Sequence, residues 1–255
     1  MSNKPLSGKL ALVTGASGGI GQASAKELAR LGCSIAVHHS SEESKPKADQ
    51  LVSELTLLGV KAAAFQADLS TYAGADALYN AVVKDFGHPD ILFSNHGATG
   101  KVIGPNGDIG DITPEMFEQI WRLNAGTAFR LAQLCIPHME KQKWGRVIFT
   151  SSVAAGNGGV IGPQYASSKS ALHGLVHWLS LRYAKTGITT NAIAPALIED
   201  TAMMANPTPE TRSKIPIGRL GKPDEIASIV ALCATNAYMT NKVIVADGGW
   251  TIGGF

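Results

Sequence analysis

The sequence predicts an α/β fold: a single domain built as a doubly wound parallel sheet of about seven strands, with helices on both faces. Three observations predict it. Short apolar runs alternate with longer amphipathic stretches along the chain, the pattern left by buried parallel strands and the helices that cover them. A glycine-rich turn, Thr14-Gly15-Ala16-Ser17-Gly18-Gly19-Ile20-Gly21, separates the first apolar run from the first amphipathic stretch. Of 255 residues, 45% are hydrophobic and only 16% charged, and 28 are Gly, which suits a packed domain with many tight turns and argues against disorder.

The elements follow in order. Residues 10–14 (LALVT) read as a buried strand. Residues 20–31 have helical spacing, with Ile20, Ala23, Leu28 and Leu31 apolar. A strand at 34–38 precedes a charged helix at 43–58, which has Pro46 near its first turn, where a missing N–H costs least, and Gly59 to end it. Residues 61–66 form a strand, 71–86 a helix and 91–94 a strand. Thr113 caps the next helix, with Pro114 at its first position. A strand at 146–150, a long helix at 165–186, a strand at 190–194, a helix at 223–235 and a strand at 242–245 complete the series. No linker or fixed-period repeat divides the chain, so residues 1–255 are read as one domain.

Two stretches are irregular. Residues 97–112 hold five Gly and residues 197–216 three Pro. Both follow strands, and in such sheets ligands sit beyond the carboxyl ends of the strands. The second is expected to form a lid over the substrate, its Met203, Met204 and Pro207 suggesting an apolar, adaptable pocket.

Bulk properties exclude several classes of partner. A net charge of +2 without a basic block argues against nucleic acid. No apolar run approaches the roughly 20 residues of a membrane helix, and none resembling a leader precedes the first strand. Cys33, Cys135 and Cys233 form no CxxC pair and read as packing residues in a reducing compartment. A cytoplasmic location is the expectation. His173 and His177 stand four apart, a spacing zinc can use, but no third ligand accompanies them; they read as packing or subunit-contact residues, and no metal is expected.

The glycine turn carries a specific chemistry. Gly15 permits a tight turn, Gly19 a close backbone approach to a pyrophosphate, and Gly21 close packing of helix on sheet. The helix N-terminus adds free N–H groups and a positive dipole end. The spacing, G-x-x-x-G-x-G, differs from the G-x-G-x-x-G fingerprint. The second strand ends in His38-His39-Ser40-Ser41, where an NAD site would carry an acid for the ribose hydroxyls, and none appears before Glu42. This favours NADP(H) over NAD(H), with Ser40, Ser41 or His39 as phosphate ligands and Lys45 behind them.

Tyr165-Ala166-Ser167-Ser168-Lys169 opens the long helix. Residues four apart share a helical face, so phenol and ammonium can enter one pocket. The cation is expected to lower the phenol's pKa and make it an acid–base group near neutral pH. Ser152, thirteen residues upstream, could hold a substrate oxygen beside the phenol.

In these motifs the chain resembles the short-chain dehydrogenase/reductase family over nearly its full length. Thr14 to Gly21 match its T-G-x-x-x-G-x-G, Asp68-Leu69 its adenine-bordering pair, and Ser94-Asn95-His96-Gly97 its N-N-A-G segment with two departures. Asn124 matches the family's active-site Asn, and Ser152, Tyr165 and Lys169 its catalytic Ser, Tyr and Lys. Asn191 to Ala196 match N-x-x-P-G with Ala in place of Gly.

The resemblance implies a Rossmann-type fold and a catalytic set of Asn124, Ser152, Tyr165 and Lys169, with Asn124 sharing in a proton relay through water to Lys169. Cofactor contacts are implied at Gly15, Ser17, Gly19, Ile20, Gly21, Asp68, Leu69, Asn95, Gly97, Tyr165, Lys169, Pro195, Ile198 and Thr201. The closest look is to 3-oxoacyl-acyl-carrier-protein reductases and similar carbonyl reductases, which implies NADPH-dependent reduction of a ketone to a secondary alcohol. An NAD-dependent alcohol, sugar or steroid dehydrogenase is the alternative, and a non-catalytic dinucleotide-binding regulator the alternative of another class. The resemblance further implies a small-molecule carbonyl or alcohol as partner and a homotetramer, with a dimer as runner-up.

Overall fold

The structure, a computed structural model, describes residues 4–204, 212–213 and 215–252. Seven strands form one parallel sheet: β1 (Leu10–Val13), β2 (Ser34–His39), β3 (Ala62–Gln66), β4 (Ile91–Ser94), β5 (Gly145–Thr150), β6 (Ile188–Pro195) and β7 (Lys242–Ala246), in the order β3-β2-β1-β4-β5-β6-β7. The strand order reverses direction between β1 and β4. Connections there leave toward opposite faces, which opens a crevice at the carboxyl ends of the strands.

The helices are α1 (Gly19–Arg30), α2 (Lys45–Leu57), α3 (Tyr72–Asp85), α4 (Pro114–Trp121), α5 (Thr127–Gln142), a short α6 (Ala154–Asn157), α7 (Pro163–Tyr183) and α8 (Pro223–Thr235). They divide the core in two. Leu131, Leu172 and Val176 pack on one sheet face with Leu12, Leu92 and Phe149. Leu28, Leu51 and Val230 cover the other with Val13, Ile35 and Phe93. Burial on both faces explains why the strands read as unbroken apolar runs rather than alternating ones.

Element boundaries depart from expectation where capping or tertiary contacts decide them. The helix expected at 43–58 begins with a single 3-10 turn, Glu42–Ser44, because the Ser41 and Ser44 side chains cap each other's backbone. The strand expected at 190–194 runs from Ile188 to Pro195, since β5 and β7 pair with it on both sides. The helix expected from 165 begins at Pro163, whose missing N–H suits a first turn, and its α-helical part ends at Tyr183. Thr113 caps α4 by accepting from the Met116 N–H, as expected.

One feature of this region has no counterpart in the expected pattern. Between α4 and α5, residues Arg122–Gly126 form a π-helical turn, with the Thr127 N–H bonded to the Arg122 carbonyl. Such turns insert one extra residue into a helix and occur preferentially at functional sites. Asn124 sits on this one.

Candidate active site

The crevice is built from the ends of β1, β4 and β5. The Thr14 hydroxyl oxygen accepts the Asn95 and His96 N–H groups at 2.8 and 3.1 Å. The Asn95 amide nitrogen donates to the Thr14 and Gly15 carbonyls, and its oxygen accepts from the Thr150 hydroxyl at 3.0 Å. Three strand ends are thereby fastened by one side chain. Asn95, expected as a cofactor contact, spends its polar side-chain atoms holding the turn.

The glycine turn is shaped as its residues imply, with one difference. Gly15 has φ +61°, a left-handed conformation that favours glycine. A Cβ on Gly21 would collide with the Gly15 carbonyl, so Gly21 is what lets α1 close on the turn. At Gly19 the group in close approach is the Asp200 carbonyl, from the loop after β6. Gly18 lacks a side chain to cap α1, and no acid occupies the first turn, which leaves that N-terminus open and electropositive. These residues fit a dinucleotide pyrophosphate in having glycine at positions 15, 18, 19 and 21 and a helix end with no side-chain cap, with the Asp200 carbonyl lying against Gly19.

Beneath the turn lie two buried histidines. The Gly15 N–H donates to His38 Nδ1 at 3.0 Å, and His38 Nε2–H donates to the Ala67 carbonyl at 3.0 Å. His96 stands where the resembled family has Ala. Its Nδ1 lies 2.8 Å from the Thr14 hydroxyl and its Nε2 3.0 Å from that of Thr127, which donates onward to the Leu123 carbonyl. The Thr127 hydroxyl, already donating to Leu123, takes its bond from Nε2–H, and the shorter of the two bonds open to the Thr14 hydroxyl is the one to Nδ1 of a neutral ring. Burial drives His38 from the usual 6.5 down to about 4 and His96 to about 3.

At the end of β2 the three residues expected near a 2′-phosphate differ. His39 is buried and hydrogen-bonds through Nδ1–H to the Ser41 carbonyl. Ser41 is half-buried and engaged with Ser44, while Ser40 is exposed. Lys45 Nζ is held by the Asp49 carboxylate at 2.6 Å. Asp68 is exposed, its carboxylate accepting the Ser70 N–H and hydroxyl, beside the buried Leu69.

Tyr165 and Lys169 project from the first turns of α7 into the crevice, each 4% exposed or less. Lys169 Nζ lies 5.8 Å from the centroid of the Tyr165 ring and donates to the Thr150 carbonyl at 2.8 Å. The pKa expectation is corrected: burial pushes the phenol above its ordinary value, and the opposing pull comes from a hydrogen bond with the Ser152 side chain. Burial instead lowers the Lys169 amine to about 8.

Asn124 is brought to the same place by the π turn. Its oxygen accepts the Ala98 N–H at 2.9 Å, and its nitrogen donates to the Ala98 carbonyl and the Ser168 hydroxyl. These bonds make the side chain a clamp between the loop after β4 and the helix carrying Lys169. Gly97 completes the fit: a Cβ there would stand 2.9 Å from Asn124 Oδ1 and 3.2 Å from Lys169 Nζ.

Past β6, Pro195 is buried as the last residue of that strand. Ala196 needs no glycine conformation; positive φ falls instead on Asp200, at +56°. Ile198 is 4% exposed, packs into the core and bridges to Gly221, and Thr201 donates its hydroxyl to the Ile198 carbonyl. The Ile198 side chain is thus a core residue. Ile20 likewise packs on the core, and Ser17 is half-buried with its carbonyl accepting from Gln22. Met203 is exposed at the start of the expected lid; Pro207 and its neighbours lie outside the described residues. His173 contacts the Ser151 hydroxyl and His177 the Asn241 side chain. Among the described residues no group of three His, Cys, Asp or Glu converges as a metal site requires, and no helix is long and apolar enough to cross a membrane.

Sequence reasoning missed Thr14, Thr150 and His38 as supports. The two threonines carried a signal, since each is a hydroxyl ending an otherwise apolar run. His38 carried none.

Comparison with known proteins identifies the family and the fold. A family model described as short chain dehydrogenase matches residues 9–212. The 3-oxoacyl-[acyl-carrier-protein] reductase FabG of Pseudomonas aeruginosa is 34% identical over 255 residues, covering 96% of this chain and 98% of that protein. Two solved structures superpose closely. The NADH-dependent reductase A1-R' responsible for alginate metabolism gives a TM-score of 0.87 at 27% identity, covering 98% of this chain and 100% of that one. A blue fluorescent protein from a metagenomic library, in complex with NADPH, gives 0.87 at 32% identity, covering 97% and 100%.

The buried histidines predict an acid-sensitive fold. Both have folded-state pKa values below the unfolded 6.5, so below that pH the unfolded chain binds protons that the folded chain refuses. Each should cost about 1.4 kcal/mol of stability per pH unit as pH falls from 6.5 toward its folded value. Urea midpoints measured from pH 7.5 to 4.5 should fall, and His96→Ala should flatten the slope by one proton's worth. An unchanged slope would remove His96 from the account.

Proposed function

The chain belongs to the short chain dehydrogenase family of NAD(P)-dependent oxidoreductases, and from that premise we propose that it reduces a ketone, of 3-oxoacyl type or similar, to a secondary alcohol with NADPH. One observation carries the acid–base reading. The Tyr165 phenol, raised by burial, is hydrogen-bonded to the Ser152 side chain and has the Lys169 amine 5.8 Å from its ring centroid, the arrangement that proton exchange with a substrate oxygen requires.

The dinucleotide would lie on the Gly15–Gly21 turn, along Asp68-Leu69 and Gly97, and against Pro195 and Thr201, and when bound it supplies the hydride. Ser152 and Tyr165 hold the substrate oxygen between their hydroxyls. Tyr165 gives its proton to that oxygen as the carbon is reduced, which makes the hydroxyl of the product alcohol. The Lys169 ammonium stabilises the phenolate left behind, and its bond to the Thr150 carbonyl keeps it in place. Asn124 positions rather than reacts, by clamping Ala98 and Ser168.

The absence of an acid at the end of β2 and the exposed Ser40 support NADPH. One observation favours a second reading, an NAD-linked dehydrogenase: the Lys45 ammonium is already engaged by Asp49. The same acid–base set would then run in reverse. The reductase of P. aeruginosa supports the substrate class, and the NADPH-complexed and NADH-dependent structures each support one cofactor. A homotetramer in the cytoplasm is part of the proposal. Exposed apolar side chains such as Phe129 and Trp178 support assembly, and three buried free thiols suit a reducing compartment.

Three outcomes are expected. Tyr165→Phe should keep dinucleotide affinity, measured by quenching of protein fluorescence, and lower kcat by about 10²- to 10⁴-fold; near-normal turnover would defeat the mechanism. The rate of ketone reduction should be level near pH 7 and fall as pH rises through about 8, where Lys169 loses its charge. A panel of ketones followed by absorbance of the reduced nicotinamide should give a higher kcat/KM with NADPH than with NADH, and the reverse ratio would replace the first reading with the second.

A further inference from the structure

Gln164 immediately precedes Tyr165 and is completely buried. Its amide nitrogen donates to two backbone carbonyls, Thr99 at 3.0 Å and Lys101 at 2.8 Å. Both acceptors are carbonyls, so only the NH2 end of the amide can face them, and the orientation of the side chain is fixed. Its Oε1 is buried without a hydrogen-bond partner. An amide kept in such a place serves through its two N–H groups, because leaving one buried polar atom unpaired costs roughly 1–3 kcal/mol.

The two carbonyls belong to the loop after β4. That loop runs from residue 97 to residue 112 with one 3-10 turn, Ile109–Asp111, as its regular structure. Its first half is pinned from three sides. Asn124 holds Ala98, Gln164 holds Thr99 and Lys101, and the Ile103 N–H donates to the Ile161 carbonyl of the loop before α7 at 2.9 Å. Gly100, between the two carbonyls, has φ +65°, and a Cβ there would press on the Ile120 side chain at 2.8 Å. The backbone therefore lies directly on α4 while Gln164 grips it on either side of Gly100. The gripped segment directly follows Gly97 and Ala98, which lie against Lys169 and Asn124, and the residue that grips it immediately precedes Tyr165.

We propose that Gln164 is a specificity-determining positioning residue: by tying residues 99–101 to the first turn of α7, it fixes the wall of the substrate pocket opposite the Ser152–Tyr165 pair. The inference rests on the reductase reading and deepens it. Gln164 does not touch the reacting atoms. It sets how far the wall stands from the phenol, and so which ketones bring their oxygen within reach. Losing the tether lets the wall retreat, which weakens the binding of substrate and leaves the glycine turn and the dinucleotide untouched.

Gln164→Met keeps the volume and removes both donors. Its expected signature is a split. KM for the best ketone rises tenfold or more, kcat and dinucleotide affinity change by less than threefold, and preference shifts from small toward bulkier ketones. Hydrogen exchange supplies a readout independent of any reaction: the Ala98 and Ile103 amides should exchange at least tenfold faster, while those of α1 and of the rest of α7 keep their rates. Should that variant fail to fold, Gln164→Asn, one methylene shorter and unable to reach both carbonyls, carries the same expectation. Unchanged exchange at Ala98 and Ile103 would overturn the tether. Loosened exchange with an unmoved KM and preference, or a loss of dinucleotide affinity in step with a global drop in Tm, would overturn the specificity role. A wild-type protein that binds dinucleotide but reduces no carbonyl, while its Gln164→Met loop loosens, would locate the failure in the proposed reaction instead.

Discussion

The Asn95 side chain is the constraint on which the site depends. Parallel strands pair through their backbones, but pairing does not determine how their ends are disposed once the chain leaves the sheet. Asn95 does so at the point where the strand order reverses. It binds the end of β1 through the Thr14 and Gly15 carbonyls and the end of β5 through the Thr150 hydroxyl. The Thr150 carbonyl then receives Lys169. A continuous run of hydrogen bonds thus leads from the glycine turn to the amine beside the phenol. Each of its members is partly or wholly buried, where a hydrogen bond is stronger than in water and its loss more costly.

Burial sets the protonation of the site as well. The same dry environment raises Tyr165, lowers Lys169 and holds His38 and His96 neutral. The two histidines are buried and bonded to the backbone and hydroxyls around them. They satisfy donors and acceptors beneath the turn that a smaller side chain would leave to water.

Much of this was legible in the residues. Two-faced burial writes a parallel strand as an apolar run, so all seven strands were visible, and caps such as Thr113 and Pro114 announced their helices. The spacing of Tyr165 and Lys169 gave their common face, and Ser152 its place past β5. Long-range contacts left no such mark. Nothing local distinguishes Asn95 as a fastener of strands from Asn95 as a ligand contact, because its partners lie 55 to 81 residues away. The direction of the phenol's shift was misjudged for a related reason: spacing reveals a neighbouring charge, but not the depth at which both groups are buried. Ile198 turned inward to fill the core, and His39 to bond the Ser41 carbonyl.

The π turn at Arg122–Gly126 has an implication for how this chain can change over time. Each residue of an α-helix turns the following side chains by roughly 100°. The added residue therefore resets the phase of α5 relative to α4, so that Asn124 reaches Ala98 and Ser168 while Leu131 and Ile136 still meet the sheet. Substitutions in either helix act one position at a time. A single-residue deletion between them would rotate one of the two faces out of alignment with its partner, so this segment can vary in letters but not in length.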